Sequence, residues 1–213
     1  MSRFTILLGG DLVATPALLR QAAGSRVIAA DSGIRHAAAL GVVPELWVGD
    51  FDSVDDALAA SWRHIPRRAF PAEKDKTDGE LAVDAALAMG ATDLLLAGAF
   101  GGARADHAFL HMALALRLSD SGTDVLLASG IEEGRPLRAG ERMAFDYAAG
   151  TLFSVLGFSD LAGLSVDGAR WPLDAVEVPF GSSLTISNAV TGALAVTLER
   201  GRALLIAHLG TQH

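Results

Sequence analysis

Four aspartates, Asp50, Asp52, Asp55 and Asp56, fall within seven residues directly after the apolar run Leu46-Trp47-Val48. Carboxylates this close raise one another's pKa and cost free energy unless a cation or solvent relieves them. Asp50 and Asp52 are two apart, so they share a side if the strand continues and converge if it turns. Both arrangements suit the hard oxygen ligands of Mg²⁺. Gly49 before them allows a tight backbone turn. The other reading of the segment is a solvated acidic loop that starts a helix, with Ser53 as N-cap and Asp55 and Asp56 in its first turn. The metal reading is preferred for Asp50 and Asp52, and the helix-start reading for Asp55 and Asp56.

A second group lies in FPAEKDKTDGE, residues 70–80. Thr77 and Glu80 have the spacing of a capping box for a helix running to Met89. That leaves Lys74, Asp75, Lys76 and Asp78, a mixed-charge set at a helix N-terminus, where phosphate is welcome and a lysine can neutralise it. A plain surface loop is the alternative. The third group is GAFGGARADHAFLH, residues 98–111, glycines that let backbone amides approach an anion, then Arg104, able to hold phosphate through two parallel hydrogen bonds. It is neither a Walker loop nor a full G-x-G-x-x-G. His107 and His111 share a helix face, yet no HExxH or third zinc ligand accompanies them. A positioning role is expected for His107 and a core or surface role for His111. Earlier in the chain, Asp31-Ser32-Gly33 follows an apolar run, and either an N-cap or a nucleotide-contacting loop accounts for it.

These groups need a scaffold that gathers them. Phe4–Leu8, Arg26–Ala30, Leu46–Val48, Asp93–Ala97 and Asp124–Ala128 read as strands buried on both faces. Pro16–Ala23, Gly33–Leu40, Asp78–Met89 and Asp106–Leu118 read as the helices between them. The pattern predicts an α/β domain with a mainly parallel, doubly wound sheet, whose ligands gather at the carboxyl ends of the strands. The groups at 31–33, 50–52 and 98–111 follow such strands, and the group at 70–80 sits at the start of a helix. From about Gly130 helical periodicity gives way to frequent turn signals, and an all-β sandwich or small barrel is expected. There Leu194, Val196 and Leu198 alternate, and Ala203–His208 is expected to pair with them across a turn. The boundary falls within Ser129–Gly140, giving an α/β domain over 1–132 and a β domain over 133–213.

Composition narrows the chemistry. Half of the 213 residues are apolar, and 25 acidic against 17 basic residues give a formal charge of −8. No basic run tracks a phosphate backbone, so nucleic acid is not an expected partner. Cysteine is absent, which removes disulfides and thiolate chemistry. The start MSRFTILLGGD has no signal-peptide pattern, and no apolar segment approaches the ~20 residues of a membrane span. A soluble cytoplasmic protein without membrane contact is expected.

Taken in order, ADSGIRHAAALGVVPELWVGDFDS, FPAEKDKTDGELAVDAAL, GAFGGARADH, GARWPL and SLTISN resemble the thiamine pyrophosphokinase family. The resemblance implies an ATP-binding α/β domain joined to a β-sandwich, a homodimer with thiamine near the subunit interface, and Mg²⁺-dependent transfer of pyrophosphate from ATP to thiamine, releasing AMP. It implies that Asp50, Asp52 and Asp78 are metal-binding and catalytic carboxylates, with Arg104 acting on the phosphates. Asp31, Ser32, Gly33, Lys74, Asp75, Asp106 and His107 would serve ATP. Trp171, Ser187 and Asn188 would hold thiamine, whose cationic ring suits a Trp face and whose aminopyrimidine suits Ser and Asn. The chain departs from the family pattern in an extra Ala103 before Arg104, in His111 where Asn is common, and in Arg35 where Asn often follows the early Gly. Two other readings are a metal-dependent D-x-D glycosyltransferase and a non-catalytic thiamine or nucleotide sensor.

Overall fold

A computed structural model describes residues 2–71, 73 and 75–210. The first half of the sheet contains β1 (Arg3–Leu7), β2 (Arg26–Ala30), β3 (Leu46–Gly49), β4 (Arg67–Ala69), β5 (Asp93–Ala97) and β6 (Asp124–Ala128). They lie side by side in the order β6-β5-β1-β2-β3-β4, every pair parallel. In β1, β2 and β6 an exposed charged or polar residue is followed by four buried ones, the near-continuous apolar run expected of parallel strands covered on both faces. Leu18 and Ala22 of α1 (Pro16–Ala22) and Ala37 and Leu40 of α2 (Ala37–Leu40) pack on one face, with Leu58 of α3 (Asp56–Ser61). Ala82, Val83 and Ala86 of α4 (Asp78–Ala88) and Leu114, Ala115 and Leu118 of α5 (Ala105–Asp120) pack on the other.

Three local expectations are corrected. The segment after β2 is not one helix over Gly33–Leu40 but a 3-10 turn, Asp31–His36, followed by the single turn of α2. Asp31 takes φ 43°, unlike the extended backbone of an N-cap, and Ser32 lies inside the turn, whose cap position is Ala30, so neither caps it. Asp55, not Ser53, caps α3 and accepts the Leu58 N–H at 2.8 Å. The edge strand β4 carries Arg-Arg-Ala, three exposed residues with no hydrophobic signature, and such short charged edges discourage further pairing.

The second half is built from strands alone: β7 (Glu132–Leu137), β8 (Arg142–Phe145), β9 (Leu152–Gly157), β10 (Leu161–Ala169), β11 (Leu173–Val178), β12 (Asn188–Thr197) and β13 (Ala203–His208). β7 runs antiparallel beside β6, and β13 and β9 continue the same sheet. A second sheet of β11, β10, β12 and β8 lies against it, and β12 also touches β9 through Asn188 and Ala189. The two sheets enclose Phe153, Val155, Leu164, Val166, Leu194, Val196 and Leu205. β13 pairs with β7 and β9, not with the Leu194–Leu198 run. The Arg-Gly turn crosses between sheets: Arg200 bridges to Ala162, and Gly201 takes φ 115°, so the two apolar faces meet across the core instead of lying in one hairpin.

Phe153 is fully enclosed between these sheets. Phe153→Ala is expected to destabilise the protein by about 3–5 kcal/mol, read as a lowered urea midpoint.

Candidate active site

At the carboxyl ends of β2 and β3 the backbone twice enters the left-handed region, with φ 43° at Asp31 and 64° at Phe51. Neither residue is glycine, and each such conformation costs of order 1 kcal/mol. The result is a convergence: one oxygen from each of Asp31, Asp50 and Asp52 lies within 4.8 Å of the others. Asp31 is 8% exposed, and its Oδ1 is buried without a hydrogen-bond partner. Its Oδ2 accepts from the Ser53 hydroxyl, which is where Ser53 is used in place of capping a helix. The Asp52 N–H donates to Asp50 Oδ1 at 3.3 Å. Gly49 closes β3 and is not the turning residue. Its lack of a side chain makes room for Asp31, whose Cα would lie 3.2 Å from an added Cβ.

An unpartnered buried carboxylate oxygen is expensive. All three side chains here offer hard oxygen donors, so the set fits a divalent cation of the Mg²⁺ kind.

A second wall is built where the strand order reverses, between β1 and β5, the usual place for a ligand crevice in such sheets. The loop after β1 interlocks with the glycine-rich loop after β5. Gly10 N–H donates to Gly98 O at 3.0 Å, Asp11 N–H to Phe100 O at 2.8 Å, and Gly102 N–H to Asp11 Oδ2 at 2.9 Å. A Cβ on Gly98, which takes φ 77°, would lie 2.6 Å from Leu8 O, so only glycine fits there. Arg35 donates to Gly9 O, and His36 Nε2 donates to Gly10 O at 3.0 Å. Gly9, Gly10 and Asp11 form this wall, and the sequence reading passed over them. Their signal was a Gly-Gly-Asp placed directly after a buried strand. Ser32 reaches this wall too, since its hydroxyl would meet a Cβ on Gly9 at 2.9 Å.

The N-terminus of α4 faces the same region. Thr77 and Glu80 form the expected capping box, and Asp78 occupies the first helical turn. Gly79 is buried beside His111, whose Nε2 would lie 3.5 Å from an added Cβ. The other ring nitrogen, Nδ1, donates to Ala99 O at 3.0 Å. His111 is therefore a core residue linking the glycine loop to the start of α4, and burial lowers its pKa. His107 stacks edge-on against it, with centroids 6.4 Å apart. Asp78 is not one of the three converging carboxylates. Asp75 is exposed, Lys76 pairs with Asp84 at 2.6 Å, and Lys74 lies outside the described residues. Arg104 and Asp106 hold each other through two hydrogen bonds, at 3.0 and 2.7 Å, which keeps the Asp106 carboxyl at about 2.

In the strand-only half, Asn188 is buried and bonds Trp171 twice: its Oδ1 accepts the Trp171 N–H at 3.1 Å and its amide donates to Trp171 O at 2.7 Å. Ser187 takes φ 62°, and its N–H donates to Ser154 Oγ at 3.0 Å. The Trp171 ring stays 55% exposed. The three residues expected to hold thiamine are thus locked into one platform.

Two family signatures match the sequence. The one described as the thiamin pyrophosphokinase catalytic domain covers residues 19–127, about half of the chain, and the one described as the vitamin B1 binding domain covers 143–205. The chain belongs to the thiamin pyrophosphokinase family. A thiamine pyrophosphokinase of Bacillus subtilis (strain 168) is 29% identical over 168 residues, 76% of each chain. The crystal structure of thiamin pyrophosphokinase from Geobacillus thermodenitrificans superposes with a TM-score of 0.80 at 25% identity, covering 100% of this chain and 99% of that one. The Candida albicans thiamin pyrophosphokinase retains the fold at 12% identity, with a TM-score of 0.80 over 98% of this chain and 89% of that one. The gap between the two thiamin pyrophosphokinase signatures, residues 128–142, falls where the chain changes from alternating helices and strands to strands alone.

His111 gives a pH-dependent prediction. Its folded pKa lies below the ordinary imidazole value of 6.5 because burial penalises the cation. The unfolded chain therefore binds the proton more readily. Stability is fully present above pH 6.5 and is lost as pH falls through the folded pKa. His111→Asn keeps a donor for Ala99 O and removes the titration. Its urea midpoint is expected to fall less steeply on acidification than that of the native chain.

Proposed function

We propose that the chain transfers the pyrophosphoryl group of ATP to the hydroxyl of thiamine, giving thiamine diphosphate and AMP. The observation that carries this reading is the convergence of Asp31, Asp50 and Asp52, with one buried oxygen unpartnered, in a chain whose two halves match the catalytic and vitamin B1 binding signatures. The 1–132 α/β part binds ATP and the 133–213 β part, a sandwich, binds thiamine.

Asp50 and Asp52, with Asp31 beside them and Asp78 at the start of α4, would hold Mg²⁺, which supplies positive charge against the phosphate oxygens when bound. Asp31, Ser32 and Gly33 would serve the nucleotide side, and the N-terminus of α4, with Asp75 shortly before it, would serve the phosphates; a role for Lys74 there rests on its place in the sequence alone. Arg104, now paired with Asp106, is exposed enough to turn toward the bridging oxygen and stabilise charge there. His107 positions that loop. One carboxylate, for which Asp78 is the candidate, orients the thiamine hydroxyl for in-line attack on the β-phosphorus, so that catalysis is mostly positioning and electrostatics.

Trp171 offers its exposed face to the cationic ring of thiamine, and the Ser187 and Asn188 platform fixes the ring's height. Apolar side chains at Phe180, Leu184 and Ile186 are exposed in the same half. They support a homodimer with thiamine near the subunit interface. Among the described residues no helix is long and apolar enough to cross a membrane.

Asp52→Asn is expected to lower thiamine-dependent AMP release by roughly 100-fold or more, the size of losing one group that stabilises transition-state charge. Near-normal turnover would remove Asp52 from the mechanism. Trp171→Ala is expected to raise the KM for thiamine by roughly 3- to 30-fold, as befits a lost cation–π contact, while the KM for ATP stays put in steady-state assays.

A further inference from the structure

Two non-glycine residues in left-handed backbone bring the carboxylates together, and one buried indole touches both. Trp47 on β3 is fully buried. Its Nε1–H donates to the carbonyl oxygen of Asp31 at 2.8 Å, anchoring the peptide that follows the φ 43° bend at Asp31. Its ring meets Phe51 edge to face, with centroids 5.0 Å apart and planes at 87°, and Phe51 is the φ 64° residue between Asp50 and Asp52. Arg67 stands directly opposite Trp47 in the β3–β4 register. Its guanidinium lies 4.4 Å from the Trp47 ring centroid and 5.2 Å from that of Phe51. It also donates to Ala59 O of α3 at 3.1 Å, which holds the guanidinium plane over both rings.

We propose that Trp47 and Arg67 are positioning residues for the acidic cluster, a clamp that holds the Asp31 and Phe51 bends against the mutual repulsion of Asp31, Asp50 and Asp52. The proposal deepens the metal reading above and rests on it. Repulsion favours any relaxation of either bend toward ordinary backbone angles, because that relaxation separates the carboxylates. The indole N–H opposes it at Asp31, the aromatic edge contact at Phe51, and the cation over both rings closes the stack from the open side of the sheet edge. The role needs a planar, stacked guanidinium, so lysine is a poor substitute.

The test measures Mn²⁺ binding to the full chain by electron paramagnetic resonance, without nucleotide, alongside steady-state kinetics. Arg67 is exposed, so Arg67→Ala and Arg67→Lys keep the experiment interpretable even where Trp47→Phe folds poorly. Arg67→Ala and Trp47→Phe are expected to weaken Mn²⁺ binding by roughly 10-fold, the size typical when groups that orient metal ligands are lost. AMP release should recover at saturating Mn²⁺, and the KM for thiamine should not move. Arg67→Lys should resemble Arg67→Ala. Unchanged Mn²⁺ affinity in both Arg67 variants, with Asp52→Asn still losing the ion, overturns the clamp and leaves the metal reading standing. Asp52→Asn binding Mn²⁺ as tightly as the native chain overturns the metal reading itself.

Discussion

Like charges do not share a small volume without something that holds them there and something that rewards the holding. Asp31, Asp50 and Asp52 place carboxylate oxygens within 4.8 Å of one another, and at such separations the repulsion is worth kilocalories wherever water is thinned out. The protein meets this with rigidity. Two parallel strands, β2 and β3, are hydrogen-bonded in register from Ile28–Leu46 to Ala30–Val48, so the residues that follow them leave the sheet from a fixed plane. Backbone bends at Asp31 and Phe51 then turn the side chains inward. Strain of this kind persists only where the surroundings over-determine it, and the packing of Trp47, Phe51 and Arg67 supplies that determination.

The opposite wall obeys a different constraint, close approach rather than charge. The loops after β1 and β5 pass so near each other that side chains on Gly10 or Gly98 would strike backbone oxygens of the neighbouring segment. Backbone amides and carbonyls fill the space, tied by Asp11 to Gly102. His111 carries the link onward to the start of α4. Acidic cluster, glycine wall and helix N-terminus all follow the carboxyl ends of parallel strands, each made by a different physical means.

Much of this was legible in the sequence wherever it depended on burial. The five apolar runs became the five buried parallel strands because both faces of each are covered, and the Thr77–Glu80 spacing became a real capping box. The convergence of Asp50 with Asp52 was legible in their spacing. Asp31 as the third member was not, because its placement depends on a left-handed backbone that no residue preference announces. Ser53 and Asp55 exchanged roles for a related reason: either can cap a helix, and a tertiary bond to Asp31 decided which one did. Arg67 was silent, since an exposed arginine in a three-residue edge strand has no pattern to recognise. The partner of Ala203–His208 was misread because alternation reports which face is buried and says nothing of which strand lies alongside.

The antiparallel join of β7 to β6 has a mechanical meaning. Hydrogen bonds run across it, and the apolar layer beneath α5 draws on Leu204 and Ile206 of the second half as well as on Leu94, Leu96 and Leu127 of the first. Among the described residues no hinge separates the two halves. A chain built this way does not fold shut like a book around what it binds, because the two halves share one sheet and one apolar layer.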